Sequence, residues 1–302
     1  MLQDEILTLL RSGGGAYLSG EAMSRKLGVS RAAVWKAVDA LRREGYAISS
    51  GSNRGYRLEA GPDRLRAGEL SGPLSGSLVG GSLLCLDVID STNTECKRQA
   101  MAGAAEGLVV TAEEQTGGRG RRGRSFQSPR GKAVCDGIQA ACGLRPQIKW
   151  TNDIILNGKK LVGILTELGL VSESNDLDYL VTGIGVNVNQ SAGDFDPEIR
   201  DMATSLALAL GRPVRRSELA VQIIRALDRA YAGFPQNQGE YLEKYRADCI
   251  TIGRQVQVIT PISRREGFAV AVDDGFDLLV QFPDGTEEAF SSGEVSVRGM
   301  YG

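Results

Sequence analysis

The 302-residue chain contains no histidine. That excludes serine–histidine triads, imidazole acid–base chemistry and histidine-ligated zinc, so any catalysis has to run on carboxylates, lysine, arginine and placed charge. Cysteine is sparse and odd in number. Cys85, Cys96, Cys135, Cys142 and Cys249 include no CxxC pair, which fits a reducing compartment better than a disulfide framework. No apolar run approaches the ~18 residues of a membrane span. The opening MLQDEILTLLRSGGG is amphipathic and acidic where a signal peptide is basic and then apolar. A cytoplasmic protein with no membrane partner is expected. Net charge is also small, −2 over the whole chain, so any affinity for nucleic acid has to be local.

Such a local concentration exists. Within residues 25–57, Arg25, Lys26, Arg31, Lys36, Arg42, Arg43, Arg54 and Arg57 face only Asp39 and Glu44. Apolar residues at helical spacing predict helices over 2–11, 20–27 and 31–44. Between the last two, Gly28-Val29-Ser30 supplies a glycine turn and a serine to cap the next helix. YAISSGSNRGYRL then alternates on both sides of a Gly/Ser/Asn turn and reads as a two-stranded wing. Helix, turn, helix and a basic hairpin suit duplex DNA, whose phosphates supply most of the affinity. Ser30, Arg31, Lys36, Arg42 and Arg54 are the candidate DNA contacts. The alternative is a small helical interaction domain whose charges are merely solvated.

After Gly61-Pro62 the texture becomes mixed α/β. Strands are expected near 82–88, 107–112, 147–150, 154–156, 163–168 and 179–188, with helices near 93–102, 133–142 and 216–234. From Gly253 onward, short strands separated by DDG and PDG turns suggest a small β-barrel. One junction is abrupt: RSFQSPRGK runs straight into AVCDGIQAACG, a loop feeding the middle of a helical pattern with no start signal.

Four central features ask for an anionic ligand. QTGGRGRRGRSFQSP interleaves glycines, which let backbone approach a ligand, with Arg119, Arg121 and Arg124, whose forked donors suit phosphate or carboxylate. It lacks the lysine and Ser/Thr of a Walker loop. DSTN, at 90–93, joins a strand to a helix and could hold a polar head group there, although taken alone plain capping is the better explanation. KWTNDIILNGKKLVGILTE, at 149–167, carries lysines on strands around an Asn157-Gly158 hairpin, where a lysine could hold a carboxylate or phosphate as a point charge or could be an exposed edge lysine. GIGVNVN, at 183–189, puts glycines on an apolar strand, for close ligand approach or for a bulge.

Together GVSRAAVWK, DSTN, GRGRRGR, KWTND, KKLVGILTE and GIGVNVN, in that order along nearly the whole chain, resemble the bifunctional biotin protein ligases that are also biotin operon repressors. The resemblance implies an α+β multidomain fold: a winged helix-turn-helix at 1–62, a class II synthetase-like ligase domain with a mixed sheet at 63–252, and an SH3-like β-barrel at 253–302. It implies biotin contacts from Ser91, Thr92, Asn93, Gln115, Gly118, Arg119, Arg121, Lys160 and Gly163. Nucleotide contacts fall on Arg121, Arg124, Asn152, Asn187 and Arg298, and Asp153 is a candidate Mg2+ ligand. Catalytic weight rests on Lys160, Arg119 and Arg121. The family uses ATP and Mg2+ to form biotinyl-5'-AMP, transfers biotin to a lysine of a biotin carboxyl carrier protein, and binds operator DNA as a homodimer. That chemistry suits a chain without histidine, because an ionised carboxylate attacks phosphorus without a general base. The glycines of the arginine loop suggest a lid that orders over the adenylate.

Two departures stand out. Family members follow the SPxG of the arginine loop with a strand and the first part of a helix, together ~17 residues at average lengths. Here a segment is expected to be missing between Lys132 and Ala133, leaving a hole in the central sheet. Thr151 stands where the family commonly has proline, a change expected to be tolerated. A ligand-sensing regulator without ligase activity and a lipoate-type ligase are the competing readings.

Overall fold

The structure, a computed structural model, describes residues 1–117, 130–170, 177–260, 263–291 and 294–297. The expected helices of the head are α1 (Leu2–Ser12), α2 (Gly20–Leu27) and α3 (Arg31–Arg43). Ser19 caps α2 by accepting from the Ala22 amide at 3.0 Å, and Ser30 caps α3 by accepting from Ala33 at 3.1 Å. Gly28 ends α2 in the left-handed region, φ 66°, which a side chain would strain. The apolar stripes meet in one core of Ile6, Leu7, Leu10, Val34, Val38 and Leu41, closed by Met23, Tyr46 and Ile48. The wing is the antiparallel pair β1 (Ala47–Gly51) and β2 (Gly55–Ala60). Two 2.9 Å backbone hydrogen bonds between Leu18 and Tyr56 fasten it to the start of α2.

The connection beyond the wing is clamped by charge. Its short helix α4 (Ala67–Leu70) lies against α1. Arg66 pairs with Asp4 at 2.8 Å and also with Glu44, and Arg11 pairs with the buried Glu69 at 2.8 Å. Burial would raise the Asp4 carboxyl, but the hydrogen bond and charge of Arg66 outweigh it and hold the group below its ordinary value. On the far side of the connection, Arg216 reaches Asp63 at 3.1 Å and Glu113 at 2.9 Å.

The central domain begins with a parallel β-α-β unit: β3 (Leu83–Ile89), α5 (Thr92–Met101) and β4 (Val109–Gln115). Helix α6 (Arg130–Cys142) follows. An antiparallel sheet comes next, β5 (Gln147–Lys149), β6 (Asp153–Leu156), β7 (Lys159–Leu170) and β8 (Leu177–Val186), in that spatial order. Helices α7 (Leu206–Leu210), α8 (Arg216–Gly233) and α9 (Gln238–Asp248) complete it. The last strands, β9 (Gln255–Ile259), β10 (Arg264–Val272), β11 (Leu278–Gln281), β12 (Glu287–Phe290) and β13 (Glu294–Val297), form one sheet of order β12-β11-β10-β9-β13, the small SH3-like domain. Its core is continuous with that of α6, α8 and β5 to β7. Trp150 joins the two, its indole donating to the Phe276 carbonyl at 3.0 Å and its amide to the Thr251 hydroxyl at 2.9 Å.

The central sheet is in two pieces. Among the described residues no ladder joins β3–β4 to β5–β8, and no residue of β3 or β4 is fully buried, whereas all of β6 is. Helix α6 itself runs unbroken through Lys132-Ala133. It starts at Arg130 rather than at the expected Ala133, so Lys132 is drawn inside, where Asp136 and Asp248 neutralise it. Thr151 is buried, and its hydroxyl has no hydrogen-bond partner among the described residues, so the tolerance expected for it carries a desolvation cost of about 1–3 kcal/mol.

Candidate active site

Parallel strands gather ligands at their carboxyl ends, where the next helix presents its free amides. Ile89 ends β3 and pairs with Gln115 at the end of β4, and α5 starts two residues beyond Asp90. This brings DSTN and Gln115 together, as their sequence separation could not show. Gln115 Oε1 accepts from the Thr92 amide at 2.9 Å and from its hydroxyl at 3.1 Å. Its amide nitrogen stays available to a ligand. Ser91 is buried as the N-cap of α5, so capping is its visible role. Asp90 sits below its ordinary carboxyl value because Arg98 hydrogen-bonds it, at 2.7 Å.

Asn93 points from α5 onto the sheet. Its amide nitrogen donates to Glu167 at 3.0 Å, and Lys97 holds the other oxygen of Glu167 at 2.5 Å. A Cβ on Gly183 would lie 2.0 Å from Asn93 Oδ1, so glycine there is a condition of this packing. Leu165 pairs with Gly183 and Gly163 with Gly185, with no register break from Gly163 to Glu167. Gly163, Leu165, Glu167, Val181, Gly183 and Gly185 therefore share one face, the one turned to α5, and its three glycines leave part of it open. The other face carries the buried Val162, Ile164 and Thr166.

Lys160 reaches the ligand face through a bulge. Asp153 pairs with Gly163 and Ile155 with Lys160, so Leu161 is an extra residue that breaks the alternation. By strict alternation Lys160 would join Val162 on the core side. Instead Leu161 is buried, and Lys160, half exposed, sets its ammonium 2.9 Å from Asp153 and within 3.7 Å of where a Gly163 side chain would begin. Lys149 is buried, which removes the exposed-edge reading for that lysine. Asn152 is buried and its carbonyl accepts from Ile164 at 2.9 Å, while the Asn187 amide donates to Leu161 at 3.0 Å, which puts Asn187 beside the bulge.

Gly118, Arg119, Arg121, Arg124 and Arg298 lie outside the described residues. The ends of the arginine segment are fixed, however: the Gly117 amide donates to Asp90 at 2.8 Å, and Arg130 donates to Thr166 at 3.0 Å. Burial lowers the Arg130 guanidinium to about 10. Asp153 is ion-paired to Lys160, and no group of three acidic or cysteine side chains able to cage a metal occurs among the described residues. A Mg2+ arriving with a nucleotide would take phosphate and water for most of its ligands, with Asp153 as the nearby carboxylate.

In the head, Arg31 and Lys36 are exposed with no ion pair among the described residues, as a phosphate-facing surface needs. Arg42 is committed elsewhere: it donates to the Ile48 carbonyl at 2.9 and 2.7 Å and to Ser50 at 2.7 Å, strapping α3 to the wing. Arg54 and Arg57 stack on Tyr17 at 4.6 and 4.9 Å. Tyr17, Trp35, Lys97 and Glu167 escaped the sequence reading. Two of them carried a signal, Glu167 by its place within KKLVGILTE and Trp35 by its place within GVSRAAVWK.

Comparison with known proteins bears on both halves. A model described as HTH domain matches residues 3–57, and one described as Biotin/lipoate A/B protein ligase family matches residues 85–135. The Bifunctional ligase/repressor BirA of Bacillus spizizenii is 33% identical over 318 aligned positions, covering 96% of this chain and 97% of the relative. The chain belongs to the bifunctional ligase/repressor family. The namesake from Escherichia coli is 29% identical, covering 94% of each chain. The solved biotin protein ligase of Aquifex aeolicus in complex with biotin and ATP has the same fold, with a TM-score of 0.61 at 24% identity, over 72% of this chain and 98% of that one. The chain is thus a family ligase domain of biotin protein ligase fold behind a DNA-binding head. The Bacillus alignment is also longer than the part of this chain it contains. Its 318 positions contain 96% of 302 residues, about 290, so about 28 aligned positions have no residue here.

Proposed function

We propose that this chain joins biotin to ATP as biotinyl-5'-AMP, passes biotin to a lysine of a biotin carboxyl carrier protein, and represses transcription at operator DNA as a homodimer in the cytoplasm. The observation that carries the ligase reading is the bulge at Leu161, which puts Lys160 on the glycine-lined face opposite Asn93. A flat bicyclic head group fits against the glycine stretch of that face, held at its polar edge by Asn93, Thr92 and the Gln115 amide. In the first step a biotin carboxylate oxygen bonds to the α-phosphorus and pyrophosphate leaves. Lys160 provides positive charge where phosphoryl oxygens gain negative charge, with Arg119, Arg121 and Arg124 assigned the same task, and Asn152, Asn187 and Arg298 the nucleotide. In the second step the acceptor amine attacks the acyl carbon and AMP departs. All five cysteines are free, in keeping with a reducing compartment, and no helix of the described residues is long and apolar enough to cross a membrane.

We also infer that the segment lacking here is the strand and helix start expected after Lys132. The divided sheet and the drawn-in Lys132 support this placement, and the about 28 unmatched positions, from 318 aligned against about 290 residues, are enough for a segment of that size. Biotin-dependent exchange of pyrophosphate into ATP tests both readings, measured on this chain and on one carrying the Bacillus relative's segment between Lys132 and Ala133. Exchange in both, stronger in the second, is expected. Exchange in neither removes the ligase reading, and equal exchange removes the placement of the gap. Lipoate-dependent exchange without biotin dependence would replace the substrate.

A further inference from the structure

Trp35 is the largest apolar side chain exposed on the head apart from the terminal Met1, 54% accessible in the second turn of α3. Nothing in the head's own packing explains it. The core takes Val34, Ala37, Val38 and Leu41 from this helix, and Trp35 stands on the flank of that stripe, about 100° around from Val34, with Arg31 one turn before it and Lys36 next to it in sequence. Arg43 on the same face is neutralised by Asp39 at 2.7 Å, so the unpaired positive charge gathers at the N-terminal half of the helix, around the indole. In a helix-turn-helix that half is the part that reaches base edges in the major groove. An uncharged indole gains nothing from phosphates, and its ring matches the one apolar feature a base pair shows in that groove, the C5-methyl of thymine.

We propose that Trp35 is a specificity-determining residue that packs on a thymine methyl in each half-site, while Arg31 and Lys36 hold the flanking phosphates. The proposal rests on the DNA-binding half of the proposed function. It assigns the two kinds of residue different signatures: loss of Trp35 alters the preference among sequences and leaves the salt dependence of binding unchanged, whereas loss of Lys36 weakens all duplexes and flattens that dependence.

The probe is the duplex that the full chain, with biotin and ATP present, enriches from a randomised pool, and each of its thymines is replaced in turn by deoxyuridine. The wild-type chain should bind one such replacement per half-site about fourfold more weakly, the effect of one buried methyl. Trp35→Ala should be indifferent to that replacement, bind a scrambled duplex as the wild type does, and keep the wild-type melting curve because the side chain is exposed. Trp35→Phe should keep part of the discrimination. The other tryptophan, Trp150, is buried, so a change of indole fluorescence on adding duplex reports Trp35. Retention of an enriched duplex with every deoxyuridine neutral, or equal weakening of enriched and scrambled duplexes by Trp35→Ala, overturns the inference and leaves the repressor reading standing. A chain that retains no duplex at all overturns both.

Discussion

The head and the β3–β4 half of the ligase domain are built from similar amounts of apolar residue and end in different states of packing. In the head, three amphipathic helices and a wing close on one another, and Ile6, Leu7, Val34, Val38 and Leu41 are wholly shielded. In β3 and β4, Leu83, Leu84, Cys85 and Leu86 stay half-buried, and only Leu83, Cys85 and Val109 pack against the small cluster of Leu70, Leu74, Val221 and Ile224 among the described residues. A helical head satisfies its backbone internally, so it tolerates losses elsewhere in the chain. A strand pair depends on what lies beside it for hydrogen bonds and for burial. Losing one strand therefore exposes its neighbours without unfolding distant parts.

This contrast can be broken in order of expected effect. Leu41→Ala, at a fully buried site, should cost about 2–5 kcal/mol. Thermal melting should show the loss in the head transition, with duplex binding abolished and pyrophosphate exchange kept. Lys160→Ala should do the reverse: exchange should fall about 10²–10³-fold, equivalent to about 2.7–4 kcal/mol of lost charge stabilisation, at unchanged duplex affinity. A Lys160→Ala chain that exchanges normally would remove the lysine from the mechanism. Leu84→Ala on β3, being half-buried, should cost only about 1–2 kcal/mol, and more once the sheet is completed by the relative's segment. An equal cost in both chains would show that the strand was already fully packed.

The smallest effect concerns the clamp between the halves. Asp4 titrates below its free value of about 4 because Arg66 holds it, so its contribution is present above that pH and is lost as the pH falls through the folded value. Melting of the head should drop as the pH falls below the free carboxyl value of about 4 in the wild type. Asp4→Asn should start lower at neutral pH and lose part of that slope; an unchanged slope would assign the acid sensitivity to other carboxylates.

Much of this was legible in the sequence, for physical reasons. Gly28 and Ser30 are a stop and a cap, local devices whose effect depends only on neighbours a few residues away. Asn157 and Gly158, both at positive φ, likewise made the β6–β7 hairpin readable. Helix α9 was missed because it buries only Leu242 and Tyr245, leaving little periodicity to detect. The Glu167 bonds to Asn93 and Lys97 span 74 and 70 residues, and the commitment of Arg42 to the wing depends on a hairpin's angle. Such facts belong to tertiary geometry and leave no local trace. At RGKAVCDG the missing helix start signal marks an abrupt junction, but that the sheet would be divided was foreseeable only from the resemblance.

The extra residue at Leu161 gives strand β7 an unusual kind of fragility. Most positions along it could change identity within their face and leave the cleft standing. Removing a single residue between Ile155 and Leu161 would restore strict alternation, turning an ammonium into the hydrophobic interior and a leucine toward the ligand. At this point the protein's chemistry is written in the count of its residues as much as in their kind.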